Sequence, residues 1–170
     1  MKITHRTKLS EVLPLLNEER LAQLLKRLPT HPLRKNLMEC TVGEFCRILN
    51  GEEDFIQSKI LGKTRNAVKY FCRLKELKRQ MELISKYLSV NKIEYTDREK
   101  RAAFGVVFLA APEQILLTVQ KAFFLHSFRE AEALPLSHYL MVARSLSADA
   151  KFNLNLQKEY ERERKLKLKR

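Results

Sequence analysis

Apolar positions along this chain recur at the spacing of helices. Leu21, Leu24, Leu25 and Leu28 fall at i, i+3, i+4 and i+7, one face of an amphipathic helix. Asn17 stands before them as an N-cap, and Pro29-Thr30-His31-Pro32 ends the run. A shorter helical turn is expected over Ser10 to Leu16. Farther on, Tyr70, Leu74, Leu77, Met81, Ile84 and Leu88 are spaced 4, 3, 4, 3, 4 within a segment that runs from about Thr64 to Val90. That rhythm covers fewer than the three or four heptads a coiled coil needs, so it predicts a seam inside a bundle. Val68 and Phe71 widen the stripe at its N-terminal end.

Punctuation agrees with the periodicity. Thr41-Val42-Gly43-Glu44, Thr96-Asp97-Arg98-Glu99 and Ser127-Phe128-Arg129-Glu130 have the Ser/Thr-x-x-Glu form of capping boxes. Gly51 after Asn50 is a C-terminal stop, and another helix over Glu52 to Leu61 ends at Gly62. Beyond Pro135 the pattern is helical nearly to the end, with Leu136, Leu140, Ala143, Leu146 and Ala150 on a buried face. No hairpin turn or long alternating run competes.

The most apolar stretch, Ala102 to Phe128, poses a sharper question. A membrane-spanning helix needs ~20 consecutive apolar residues. Pro112-Glu113-Gln114 and Gln120-Lys121 interrupt this one. Proline near a helix start, followed by Glu in the first turn, fits the orphan N–H groups and the dipole there. The stretch therefore predicts two buried helices, 97–110 and 112–126, and no membrane span. Phe108, Leu116, Leu117, Phe123 and Phe124 are expected in the core.

The resulting expectation is an all-α, single-domain bundle of about six to eight helices with a protruding C-terminal helix. Residues 1–152 would form the bundle and 153–170 a charged, exposed tail. Four Gly, five Pro and no Trp suit this class. MKITHRTK carries no apolar run, so it is no secretory signal. With three cysteines and no C-x-x-C pair, reduced thiols in a cytoplasmic protein are expected.

Charge adds a second theme. The net charge is +13, concentrated in two blocks. Gly62 to Arg101 holds twelve Lys/Arg against five Asp/Glu, and Gln157 to Arg170 holds seven against three. Lys69, Arg73, Lys75, Lys78 and Arg79 crowd the first half of the long helix, where they could neutralise phosphates in non-specific nucleic-acid binding. They could equally be the solvated face opposite the seam. Catalytic patterns are missing. Neither phosphate-cradling glycine motif can be built from Gly43, Gly51, Gly62 and Gly105. His5, His31, His126 and His138 have no metal-ligand spacing, and none follows a Glu at three residues. The expectation is a non-enzymatic protein with no cofactor and no metal.

Protein binding is the leading expectation, and phosphate binding is the alternative. After Phe152 the apolar residues thin out, while Glu161/Lys165 and Glu163/Lys167 make favourable i, i+4 pairs. Phe152, Leu154, Leu156 and Tyr160 are the anchors such an exposed helix could offer a partner. The order of "TVGEFCRIL", a long basic helix, "FREAEALPLSHYLMVARSLSADAKFN" and a charged tail resembles tail-assembly chaperones of tailed phages and prophages. The likeness spans Thr41 to Arg170 and is one of element order, with no diagnostic motif. It implies a protein partner, a long helical structural or tape-measure protein, and carries over no individual residue.

Overall fold

The computed structural model describes residues 7–89 and 111–168. Eight α-helices account for most of them: α1 (Leu9–Val12), α2 (Glu18–Arg27), α3 (Val42–Leu49), α4 (Glu53–Phe55), α5 (Ala67–Ser89), α6 (Ala111–Ala122), α7 (Phe128–Ala133) and α8 (Leu136–Leu168). The chain is an all-α, single-domain bundle. Short 3-10 turns at Leu13–Leu15 and Leu37–Glu39 link elements, and a π-helical run, Ile56–Leu61, extends α4 as far as Gly62. The expected helix over 97–110, the Thr96 capping box and Phe108 lie outside the described residues.

Local chemistry sets most helix ends. The Asn17 side chain accepts the Arg20 N–H at 2.9 Å and opens α2. At α3, the Thr41 hydroxyl accepts the Glu44 N–H at 3.2 Å while the Glu44 carboxylate accepts the Thr41 N–H at 2.9 Å, a complete capping box. Lys35 Nζ clamps the same carboxylate at 2.6 Å. The box at Ser127 differs from expectation in one bond. Its hydroxyl accepts the Glu130 N–H at 3.3 Å, but the Glu130 carboxylate takes the N–H of His126. Helix α3 stops at Gly51 (φ +72°), with the Glu52 N–H bonded to the Arg47 carbonyl. This is the six-to-one closure of a Schellman end.

One large core holds the bundle together. Leu37, Val42, Ile60, Leu61, Val119, Ala131 and Leu136 are fully buried in it. From the long seam, Leu77 and Ile84 are buried there, with Tyr70, Leu74, Met81 and Leu88 packed against its edge. The seam thus faces neighbours inside the bundle. A smaller cluster of Val12, Leu25, Ala67 and Phe71 fixes α1 and α2 to the start of α5, with Tyr70 and Leu74 shared between the two.

The apolar stretch enters the core through different residues from those expected. In α6 the buried side chains are Ile115 and Val119, while Leu116, Leu117 and Phe123 are half-buried. Phe124 is 89% exposed at φ +54°. The reason is a helix end the apolar pattern conceals: α6 stops at Ala122, so Phe124 lies past it and points outward. Among the described residues no helix is long and apolar enough to cross a membrane.

Candidate protein-binding surface

Helix α8 begins inside the bundle and runs out of it. Its first turns bury Leu136 and Leu140, and Arg144 stacks over the Tyr87 ring at 4.6 Å, near the C-terminal end of α5. From Arg144 to Leu166 every residue is exposed except Ser147 and Leu154, which are half-buried. Leu146 and Ala150, expected on the buried face, are therefore exposed. The core ends about two to three turns earlier along this helix than its apolar spacing suggests.

At ~100° per residue, Phe152, Leu156 and Tyr160 follow one another along one side of α8. They are 66%, 39% and 61% exposed. Met141 and Leu166, 58% and 65% exposed, fall on the same side. Leu154 does not join them. It lies ~200° around from Phe152 and continues the line of Leu140 and Ala143. The structure thus brings three of the four expected anchors together and adds Met141 and Leu166, whose shared face was readable from their spacing of eleven and fourteen residues to Phe152. Within the described part of the tail, Arg162 pairs with Glu159 at 2.5 Å.

The five cations of α5 divide. Arg79 grips the buried Glu76 through two bonds of 2.6 and 2.8 Å. Its guanidinium holds the Glu76 carboxyl below the usual carboxylate range, with Gln80 assisting against the effect of burial. Gln80 in turn accepts the Leu37 N–H at 3.0 Å, tying α5 to the turn beside it. Lys75 Nζ donates to the Lys26 and Leu28 carbonyls at the C-terminal end of α2. A cation there satisfies orphan carbonyls and the negative pole of the helix. Arg73 donates to the Leu61 carbonyl at the end of the π-helical run, and its Nε is buried without a partner. Lys69 and Lys78 are exposed. For Lys75 and Arg73 neither amphipathic spacing nor charge count shows the role, because their acceptors lie on other elements; the Glu76/Arg79 pair at i, i+3 lies within α5 itself.

A groove of about 460 Å³ runs between α5, the Leu37–Glu39 turn and the start of α8. Leu37, Ile84 and Leu140 form its floor, Met38, Leu83 and Tyr87 its walls, and Asn36, Gln80 and Ser137 its polar rim. The exposure of Met38 and Leu83, each about half, makes this a second apolar surface.

In comparisons with known proteins, no family model, no curated protein and no solved structure matches the chain. Site chemistry therefore rests on the residues themselves. Burial pushes the Cys40 and Cys46 thiols up to about 11, so both stay protonated at neutral pH and are poor nucleophiles. Cys72 is raised by burial as well. Among the described residues no group of three or more His, Cys, Asp and Glu side chains is placed to hold a metal ion.

Proposed function

We propose that this is a non-enzymatic binding protein whose outlying α8 engages a helical structural protein, as an assembly or chaperone-type factor of a phage or prophage tail. The observation that carries the reading is the exposed row of Phe152, Leu156 and Tyr160 on a helix that has left its own core. Large apolar side chains at i, i+4 and i+8 are how one helix anchors on another. A lone helix in water has little stability from its own pairs, and burial of this face against a partner would add ~25 cal/mol per Å² of apolar surface covered. The element order shared with tail-assembly chaperones supports the choice of a long helical partner.

Co-expression with the tape-measure protein of the same genome tests it. The intact chain should co-purify with that protein, and a chain lacking 153–170 should lose most of the capture. The melting temperature should barely change, because residues 153–166 bury almost nothing. Undiminished capture by the truncated chain would move the site to the groove beside Tyr87.

The second reading, non-specific nucleic-acid binding, draws on the net charge of +13 and on exposed Lys69 and Lys78. It requires an affinity that falls steeply between low and moderate salt, with a slope of nearly one per phosphate contact. Capture through an apolar face requires no such slope.

A further inference from the structure

Of the five cations of α5, Arg73, Lys75 and Arg79 are committed to carbonyls or to Glu76. Lys69 and Lys78, nine residues apart, project from opposite sides of that helix. Helix α5 therefore offers a polyanion no continuous surface. Helix α8 does. Arg144, Lys151, Lys158 and Lys165 recur one heptad apart, and all four are exposed. A heptad returns to within ~20° of its start, so the row stays inside an arc of ~60° over a length of ~32 Å. Arg162 falls in the same arc, paired with Glu159. Asp149, Glu159 and Glu163 lie at least ~60° outside it. Glu161 comes within ~40° of Lys165 and, among the described residues, forms no ion pair. The head of the row is fixed in place, because the Arg144 guanidinium lies over the Tyr87 ring at 4.6 Å. Stacking through its face leaves the edge N–H groups for an anion.

We propose that this row is the phosphate contact of a double-stranded nucleic acid, which lies along α8 and is held without regard to sequence. The row is ~160° around α8 from the centre of Phe152, Leu156 and Tyr160, so a duplex and a helical protein would use opposite sides of the helix. The site rests on the nucleic-acid reading above and is independent of the apolar anchors.

Other anions fit the row less well. Proteins that bind single strands add aromatic platforms on which bases stack. No aromatic side chain of α8 lies in the arc, and one face of Tyr87 is taken by Arg144. An acidic protein helix needs an apolar seam beside its ion pairs, because exposed pairs alone contribute little. Beyond Arg144 no large apolar side chain lies within the arc. An anionic membrane requires the apolar side of α8 to sink among acyl chains. Asp149, Glu159 and Glu163 project from that side, within ~60° of its centre. A duplex asks for none of these things. Each cation that meets a phosphate releases a condensed counterion, so a row of separate charges is enough. At 3.4 Å per base pair the row covers roughly nine base pairs.

The test measures fluorescence anisotropy of a labelled, mixed-sequence DNA duplex about twice that length, titrated with the full chain over a series of salt concentrations. Log affinity against log salt should fall with a slope of about −4, nearly one unit for each cation of the row. A second duplex of unrelated sequence should bind equally well. Lys151→Gln, Lys158→Gln and Lys165→Gln together should reduce the slope by about three units and weaken binding more than about tenfold at low salt. Glutamine keeps the helix propensity of lysine, and circular dichroism melts verify that each variant folds. Lys69→Gln with Lys78→Gln should leave most of the slope in place, and Phe152→Ser with Tyr160→Ser should leave all of it. Tighter binding to a single strand of the same length, to polyglutamate, or to vesicles of phosphatidylserine and phosphatidylcholine would overturn the proposal. The two readings fail separately. If the α8 glutamine variant keeps the full slope and the α5 variant loses it, nucleic-acid binding stands and the α8 site falls. If the intact chain does not bind the duplex even at low salt, both fall.

Discussion

Phe124 occupies a backbone position that suits glycine. It follows α6 in the left-handed region, and the Leu125 N–H reaches back to the Gln120 carbonyl at 2.9 Å, closing a Schellman end around it. A side chain with a Cβ costs ~1–2 kcal/mol in that conformation. Phe124 recovers little of this by burial, being 89% exposed. Phe124→Gly should therefore stabilise the fold by about 1 kcal/mol, a rise of a few degrees in melting temperature. Phe124→Ala should be close to neutral. A buried phenylalanine would lose ~3–5 kcal/mol on the same change, so the two melts also separate the sequence expectation from the observed end of α6. Hydrophobicity alone could not place that end, since the apolar run continues straight through it. Asn17 and Thr41 were legible because their bonds stay within three residues of chain. Lys75 and Arg73 were not, because their carbonyl acceptors lie 47 and 12 residues away.

Between elements, close approach matters more than propensity. Helices α3 and α7 meet at Gly43, where an added Cβ would stand 2.8 Å from Glu132 Cβ and 3.3 Å from its Cα. Alanine would favour the helix by ~1 kcal/mol. The obstruction is next to the backbone and cannot swing aside, so an overpacking cost of ~1–3 kcal/mol should prevail. Gly43→Ala is expected to lower the melting temperature, and an increase would show that α7 shifts freely. The tie from α5 to the Leu37 turn runs through Glu76, whose carboxyl is held below its ordinary value of 4.5, chiefly by Arg79. A lowered carboxylate contributes stability that is present above the ordinary value and lost as pH falls through the lower, folded one. Glu76→Gln should thus lower stability most in the neutral range and flatten the further loss below about pH 4.5. Glu44, also lowered because its bonds to Lys35 and the Thr41 N–H outweigh burial, keeps part of the acid dependence in that variant. Equal acid slopes in urea titrations of the two proteins would show that the Glu76 carboxylate contributes nothing to stability.

At the scale of the molecule, the two apolar clusters are unequal. Among the described residues, four buried ones secure α1 and α2, against sixteen in the main cluster. Local opening follows buried apolar area. Native-state hydrogen exchange should therefore release the amides of α2 at a lower opening free energy than those of α3 or the buried turn of α6 around Val119. Simultaneous exchange would make the whole chain one cooperative unit.

The start of α8 is held by more than packing. The Val42 N–H bonds the Leu134 carbonyl at 2.8 Å, and the Leu136 N–H bonds the Cys40 carbonyl at 2.9 Å, so the entries of α3 and α8 are stitched backbone to backbone. In mechanical terms α8 is a cantilever with its root clamped at this pair of bonds. From Leu136 to Leu168 the beam is ~48 Å long, so a tilt of ~5° at the root displaces its tip by ~4 Å. The aim of Tyr160 is thus decided at Cys40 and Val42, at the other end of the helix.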